Sequence, residues 1–265
     1  MSREEQSQQL DRIRDRFTRT AEAFSAFVLE RRAADAQRLV EMSGAGPDDW
    51  ALDAACGPGT YALRFAPCVR TTVGLDYTPA MLAKAKAAAA NAGATNLSFA
   101  LGDVAAIPFR NASFDIVSCG FSLHHLSQPA AAVTEFARVL RRGGRAALMD
   151  IIVAEPGRQE VNNHIEQVRD PSHVCTLMQP EMLRLVESCG LHVRTAERVE
   201  SQRSFNHWMH VGGREPGDPV YKETRALMEA TFDDDSAGFH PQRPAVPNGD
   251  FQYTQTILYL IAEKT

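Results

Sequence analysis

The sequence predicts an α/β fold, with a doubly wound, mostly parallel seven-stranded sheet and helical cap elements. Two observations predict it. Between residues 50 and 153, short continuous apolar runs alternate with helical segments, a pattern typical of parallel strands covered on both faces. The helices carry start and stop residues, since Thr78-Pro79 opens one of them and Gly93 closes it. The strands predicted in this region are residues 50–55, 71–76, 97–101, 114–120 and 145–153.

The remaining elements follow from the same kinds of signal. Residues 3–42 have apolar positions at helical spacing and contain no proline. A helix that begins near residue 128 keeps this spacing up to Leu140 and is predicted to end at Gly143-Gly144. The polar, proline-containing residues 155–179 predict a helix and a loop after the fifth strand. Further on, we expect a helix at 181–188, a strand at 192–199, a helix from Asp218-Pro219 to about 231, an acidic loop at 233–250 and a last strand at 251–262.

Composition narrows the class of protein. The chain has 265 residues with 28 Lys and Arg against 33 Asp and Glu, a net charge of −5, so we expect no nucleic-acid partner. Its five cysteines are dispersed, never as CxxC, so neither a disulfide framework nor a metal site is expected. A charged N-terminus without an apolar core, and apolar runs well short of the roughly 18 residues of a membrane span, predict a cytoplasmic protein without a membrane partner. Nothing in the composition indicates an oligomeric state.

A glycine-rich turn follows the first predicted strand directly, as Asp53-Ala-Ala-Cys-Gly57-Pro-Gly59-Thr60. Such a turn lets the backbone approach a ligand closely and directs free N–H groups at it. With Ala62 it satisfies the permissive glycine pattern of dinucleotide-binding folds, a weak signal by itself. Asp76 ends the second strand, 17 residues after Gly59, where a carboxylate can accept hydrogen bonds from ribose hydroxyls. These features fit any adenosine ligand, including NAD and S-adenosylmethionine.

Two further acids separate these ligands. Asp53 lies four residues before the first glycine, where it would repel a pyrophosphate but not a cationic amino-acid sulfonium. Asp103 follows the third strand, in a position to accept a hydrogen bond from an adenine amino group. Both favour S-adenosylmethionine over NAD.

The stretches ALDAACGPGTYAL, GLDYTPAMLAKA, FALGDVAAIPFRNASFDIVSCGFSLHHL and FARVLRRGGRAALMD resemble the class I S-adenosylmethionine-dependent methyltransferases. The resemblance is closest to the small-molecule group that includes the ubiquinone/menaquinone-biosynthesis C-methyltransferases, and it covers roughly residues 15–200. It implies a Rossmann-like methyltransferase fold, S-adenosyl-L-methionine as cofactor and a small-molecule acceptor. The sequence shows no linker between independent domains, so we expect a single domain at 1–265. It is made of an N-terminal helical cap (1–45), a cofactor-binding core (46–154), a cap insert (155–180) and a C-terminal part of the sheet with a helical insert (181–265).

The resemblance assigns roles to the residues that match the family's motifs. Asp53, Gly57 and Gly59 match positions that line the methionine part of the cofactor, and Asp76 matches the acid that binds its ribose. Tyr77 and Met81 match positions that pack on the adenine ring, and Asp103 and Val104 match the pair at the adenine edge. The segment from Cys119 to His124 matches the one that passes beside the sulfonium.

The resemblance leaves the acceptor open. The quinone enzymes have Lys-Pro-Gly-Gly and Glu-x-Ser where this chain has Arg-Arg-Gly143-Gly144 and Asp150-Ile-Ile. Methylases of exocyclic base amines carry an (Asp/Asn)-Pro-Pro-(Tyr/Phe) string where this chain has Gly-Phe-Ser-Leu-His124-His125. The acceptor atom can be carbon, nitrogen, oxygen or sulfur. A non-catalytic regulator or subunit that binds the cofactor would carry the same motifs, and an NAD(P)-dependent oxidoreductase is the less favoured alternative.

Candidate catalytic and acceptor-binding residues lie where the sheet meets its caps. His124 and His125 follow the fourth strand, at the carboxyl edge where ligands bind in such sheets, so either is a candidate base. The acceptor pocket is expected from the N-terminal helix with Phe17 and Phe24, and from the insert after strand five with His164 and His173.

Overall fold

The computed structural model describes residues 3–246 and 248–265, which fold around a seven-stranded sheet with the order β3-β2-β1-β4-β5-β7-β6. The strands are β1 (Trp50–Ala54), β2 (Thr71–Asp76), β3 (Leu97–Leu101), β4 (Phe114–Gly120), β5 (Leu140–Ile152), β6 (Leu191–Ser204) and β7 (Gln252–Lys264). The helices are α1 (Arg3–Arg19), α2 (Ala21–Arg31), α3 (Ala33–Ser43), α4 (Thr60–Phe65), α5 (Pro79–Asn91), α6 (Pro129–Val139), α7 (Gln159–Arg169), α8 (Gln179–Ser188), α9 (Phe205–Val211) and α10 (Pro219–Ala230).

The sheet is mixed, with a parallel majority. Strands β1 to β5 pair in parallel, whereas β7 inserts between β5 and β6 and runs antiparallel to both. The predicted α/β fold with seven mostly parallel strands is therefore confirmed, with antiparallel pairing at one edge. Because the chain goes to β2 on one side of β1 and to β4 on the other, the order reverses at β1, which is where such sheets bind ligands.

The helix before β5 ends earlier than the apolar spacing predicts. α6 stops at Val139, and Leu140 already pairs with Phe114 of β4. The Leu140 side chain is fully buried in the sheet, so pairing with a neighbouring strand overrides the helical spacing. The prediction that this helix continues to Gly143-Gly144 is wrong; the two glycines lie within β5.

The N-terminal helical segment is divided into three helices. Thr20 and Arg32 separate them with backbone angles outside the helical region, at φ −99° and −101°. The breaks let α1 and α2 contact α5 while α3 packs against α4 and β5. The proline-free segment at residues 3–42 therefore forms three helices, which together make a cap that bends around the carboxyl edge of the sheet.

Two buried apolar clusters cover the faces of the sheet. One includes Leu52, Leu75 and Phe136, and the other includes Leu39, Phe65 and Tyr259. A third cluster lies between α7, α9, α10 and the start of β7, and it joins the cap insert to the helical insert of the C-terminal part. No helix among the described residues is long and apolar enough to cross a membrane.

The cap is fastened to the sheet by buried polar contacts. Arg16 of α1 donates through Nε to Asp170, just after α7, at 2.6 Å, and both side chains are almost fully buried. Asp170 also accepts from the backbone and the hydroxyl of Ser172. Gln9 of α1 donates to the carbonyls of Ser172 and His125, which ties the first helix to the turn after β4.

Removing the charge of Asp170 leaves the buried Arg16 guanidinium unpaired. Burial alone would raise the pKa of Asp170, but Arg16 outweighs it and holds that pKa well below its usual range. We therefore expect Asp170→Asn to lower the free energy of unfolding by about 3–5 kcal/mol in urea titrations at neutral pH. Asp11→Asn, which breaks an exposed α1 pair with Arg14, is the matched control and should cost less than about 1 kcal/mol. Equal effects of the two substitutions would contradict this role.

Candidate active site

A cleft of about 1480 Å³, open solvent at its mouth included, lies over the carboxyl ends of β1 to β4 and beneath the helical cap. One end is lined by the glycine turn and by residues after β2 and β3. The other end is lined by α1 and α2, the turn after β4, the end of α7, and the junction of β6 and α9. A single cavity therefore joins the predicted cofactor residues to the predicted acceptor wall.

The glycine turn has the left-handed conformation that glycine favours. Gly57 has φ +52° and a Cβ added there would meet no atom within 4 Å, so its backbone is open to the cleft. Gly59 has φ +88° and an added Cβ would lie 3.3 Å from Cβ of Ala85, so this glycine instead permits close packing of α5. Ala55 also has a positive φ, 59°, and lines the cleft.

Asp76 supports this turn from the end of β2. Its carboxylate accepts hydrogen bonds from the backbone N–H groups of Gly57 and Thr78, both at 2.8 Å. Burial raises its pKa, against the lowering effect of these bonds. Each carboxylate oxygen can accept a further bond, and Asp76 lines the cleft, so it remains available to ligand hydroxyls.

Asp53 lies beneath the turn and is fully buried. It accepts hydrogen bonds from the backbone N–H of Ala62 at 2.9 Å and from the hydroxyl of Ser118 at 3.0 Å. Burial raises its pKa to about 7. In this structure Asp53 supports the turn and does not line the cleft.

The other predicted cofactor residues divide into two groups. Tyr77, Met81, Asp103 and Val104 line the cleft at the end expected for an adenine. Cys119 is buried and lies outside the cleft wall.

The next residue after Cys119, Gly120, lets Tyr61 approach the end of β4, because a Cβ there would lie 2.4 Å from the ring of Tyr61.

Polar atoms without partners occur at the glycine-turn end of the cleft. The hydroxyls of Thr60 and Tyr61 are buried, and neither has a hydrogen-bond partner among the described residues. Both residues line the cleft. With Gly57 open to the cleft and Asp76 in its wall, this end fits a ligand with a sugar and a polar amino-acid group.

His124 forms a buried dyad with Asp150, the residue near the end of β5. Its Nδ1 lies 2.5 Å from one carboxylate oxygen, and its backbone N–H donates to the other at 3.1 Å. Burial alone would lower the pKa of His124, but Asp150, helped by Glu166 and Asp170, outweighs it and raises that pKa above its ordinary 6.5. Because Nδ1–H faces the carboxylate, Nε2 is the basic nitrogen of the neutral ring.

His125 has the opposite electrostatic environment. Burial lowers its pKa well below 6.5, and His124 adds to the effect. Its Nδ1 lies 3.1 Å from both the carbonyl and the hydroxyl oxygen of Ser172, and its ring meets Phe17 edge to face. Both histidines line the cleft, but only His124 has a carboxylate partner.

The expected acceptor residues are placed unequally. Phe17 and Phe24 pack together at 5.2 Å and line the cleft. His164 is exposed on α7, away from the cleft wall. His173 is buried and bonded through Nε2 to Asn163, also outside the wall. Of the cap insert, it is the end of α7 that lines the cleft.

Sequence reasoning missed several charged residues in or beside the cleft. Asp150 pairs with His124 from the carboxyl end of β5, and that position was a signal for it. The others depend on tertiary packing between distant elements, and a single sequence carries no signal for them. They are Arg16, Arg32, Glu166, Arg169 and Arg203.

A cluster of possible metal ligands lies elsewhere. Glu155, Asp235 and His240 bring one ligand atom each within 4.8 Å of the others. Arg158 already contacts both carboxylates, at 2.8 and 3.0 Å, and so supplies the positive charge there.

Known proteins resemble this chain in sequence and in fold. Residues 52–148 match the family model described as a methyltransferase domain. The chain is 29% identical over 222 residues to the uncharacterized methyltransferase YcgJ of Bacillus subtilis, covering 83% of this chain and 86% of that protein. The crystal structure of YcgJ matches with a TM-score of 0.81 and 26% identity, over 87% of this chain and 98% of that one.

A second relative is the ubiquinone/menaquinone biosynthesis C-methyltransferase UbiE of Bdellovibrio bacteriovorus, 34% identical over 116 residues, 43% of this chain and 49% of that protein. Fold, site and relatives together define a methyltransferase with a Rossmann-like core. The family match, the relatives and the fold confirm the resemblance to the S-adenosylmethionine-dependent methyltransferases found in the sequence.

The buried Asp53 makes the stability of the ligand-free protein depend on pH. Its pKa is about 7 in the folded protein against 3.8 ordinarily, so between these values the folded state binds more protons and stability falls as pH rises. We expect Asp53→Asn to remove this slope and to be more stable than the parent at pH 8, by at most about 4 kcal/mol. Urea unfolding at pH 5 and pH 8 measures it. A parent protein with the same slope as the variant would show that Asp53 is charged when buried.

Proposed function

We propose that this protein binds S-adenosyl-L-methionine at the glycine-turn end of the cleft and methylates a small molecule held beneath the cap. The continuous cleft that joins Asp76 to the His124–Asp150 dyad carries the proposal. The names of UbiE and of a demethylmenaquinone methyltransferase among the relatives support a small-molecule acceptor.

The residues at the glycine-turn end suit the parts of this cofactor. Asp76 would accept from the ribose hydroxyls, and Asp103 and the Val104 backbone would contact the adenine edge. Tyr77 and Met81 would pack on the adenine ring. Thr60, Tyr61 and the Gly57 backbone would meet the polar methionine part, which would satisfy the two unpartnered hydroxyls. When bound, the cofactor supplies a methyl group activated by its positive sulfur.

The protein's own contribution is to remove a proton and to exclude water. An acceptor hydroxyl, amine or activated carbon that loses a proton on methylation needs a base, and Nε2 of His124 can accept that proton. Asp150 would stabilise the resulting imidazolium, since a buried carboxylate favours the charged ring. The aromatic cap over the cleft would exclude water and hold the acceptor in line with the methyl group.

Cofactor binding is tested first. S-adenosylhomocysteine at 100 times its dissociation constant should add about 2.7 kcal/mol of stability, and NADH should add none. Asp76→Ala should weaken S-adenosylhomocysteine binding about 10- to 150-fold in calorimetric titration, as expected for lost hydrogen bonds to a charged group. Asp48→Ala, at an exposed acid, is the control and should leave the affinity unchanged. A melting shift with NADH alone would refute the cofactor assignment.

The base is tested with an acceptor found by screening compound classes for a mass increase of one methyl group. His124→Ala should lower kcat about 10²-fold or more at saturating cofactor. Activity of the parent should fall as pH drops through the raised pKa of His124, above 6.5. Asp150→Asn should move this acidic limb of the pH–activity profile to lower pH, because the Asp150 carboxylate is what raises the pKa of His124. His125→Ala should keep the position of the limb, since the pKa of His125 lies well below it. An unchanged limb in Asp150→Asn would exclude the dyad as the base.

A further inference from the structure

Arg203, the last residue but one of β6, lies in the wall of the cleft and forms no ion pair with the residues that the structure describes. Its Nε and Nη2 atoms are buried and have no hydrogen-bond partner among the described residues. The other arginines of the cleft are paired: Arg16 with Asp170, Arg169 with Glu166, and Arg32 with Asp35. Arg203 therefore differs from its neighbours in having its charge unsatisfied.

The two unpartnered atoms lie on one edge of the guanidinium. Nε–H and Nη2–H point in parallel and form the fork that binds a carboxylate or a phosphate with two hydrogen bonds. Burying such donors without partners costs free energy, so a protein retains the arrangement only where something else compensates. An oxyanion bound at this fork would compensate for it.

The position of Arg203 separates it from the cofactor end. From β1, which leads into the glycine turn, to β6 there are four strand spacings, through β4, β5 and β7. At about 4.8 Å each, these amount to about 19 Å across the sheet. The carboxylate of a cofactor seated at Gly57 and Asp76 is thus out of reach, and the oxyanion at Arg203 has to belong to the other substrate.

The surroundings of Arg203 suit an amphipathic molecule. Phe27, Trp208 and Val211 supply apolar wall of the same cleft, and the ring of His207 lies 5.1 Å from that of Phe27. Across the β6–β7 pair, Arg203 lies opposite Tyr253, whose hydroxyl is also buried without a partner. Burial raises the pKa of Tyr253 well above its ordinary value, so this hydroxyl is a neutral donor.

We propose that the methyl acceptor carries an oxyanionic group, a carboxylate or a phosphate, which Arg203 binds at the far end of the cleft from the cofactor. The apolar body of the acceptor then lies along Phe17, Phe24 and Phe27, and its reacting atom reaches His124. This inference rests on the proposed function and specifies its substrate class. A neutral quinone ring has no such group, so the acceptor differs in charge from the quinones named in the relatives.

The experiment measures binding to protein saturated with S-adenosylhomocysteine, by calorimetric titration. The probes are aryl- and alkyl-substituted carboxylates of graded length, their primary amides, and the monophosphate esters of the corresponding alcohols. We expect the charged probes to bind at least tenfold more tightly than the amides. Arg203→Gln should weaken the better charged series about 10- to 100-fold and leave the amides unchanged, as expected for charge-assisted hydrogen bonds. Arg203→Lys, which keeps the charge but loses the fork, should give an intermediate loss.

Arg194→Gln is the matched control, because Arg194 lies on the same strand but is exposed and paired with Glu263. It should change no probe affinity. Without ligand, Arg203→Gln should raise the melting temperature by about 2–4 °C, because it removes a cation whose Nε and Nη2 atoms are buried without partners among the described residues. A purely structural arginine would give a fall instead.

The outcomes separate the two proposals. If S-adenosylhomocysteine does not bind, the proposed function fails. If it binds but the amides bind as tightly as both charged series, or Arg203→Gln leaves the charged series unchanged, the oxyanion site is refuted while the proposed function stands. Preference for carboxylates or for phosphates tells which oxyanion the acceptor carries.

Discussion

The buried ion pair between Arg16 and Asp170 is the contact on which the cleft depends. It joins the first helix to the loop after α7, two segments that are 154 residues apart in the chain. Asp170 also orders Ser172, whose carbonyl and hydroxyl hold the ring of His125, and Gln9 fixes the same carbonyl. A single carboxylate thereby sets the position of the cap over the carboxyl edge of the sheet. A charge is efficient for this purpose, because a misplaced cap would leave it buried and unpaired.

The cofactor half and the acceptor half of the cleft were not equally predictable from the sequence. The glycine turn, Asp76 and Asp103 each lie at or just after the end of a strand, so local pattern and strand order together place them at one edge. The same logic placed His124 and His125 at that edge, and the structure shows both in the cleft wall. What the sequence could not supply was the difference between them, which comes from Asp150, 26 residues away.

The acceptor half depends on packing between distant elements. Phe17 and Phe24 were predicted from helical spacing and do line the cleft, whereas His164 and His173 share the predicted segment and do not. Helical position alone could not decide this, because α7 turns Glu166 and Arg169 toward the cleft and leaves His164 outside. Arg203 gave no sequence signal, since one arginine near the end of an edge strand is ordinarily solvated. Likewise, Leu140 fits a helix by spacing and becomes a strand residue only through Phe114.

The left-handed Ala55 has a consequence for how ligands enter and leave. An alanine at φ 59° is strained by about 1–2 kcal/mol, so the conformation persists only where its surroundings impose it. The hydrogen bonds of Asp53 and Asp76 to either side of the turn do so. The floor of the cleft is therefore rigid before any ligand arrives, and little entropy is lost there on binding. Movement that admits or releases ligands has to come from the helical cap, which meets the sheet through a few side chains.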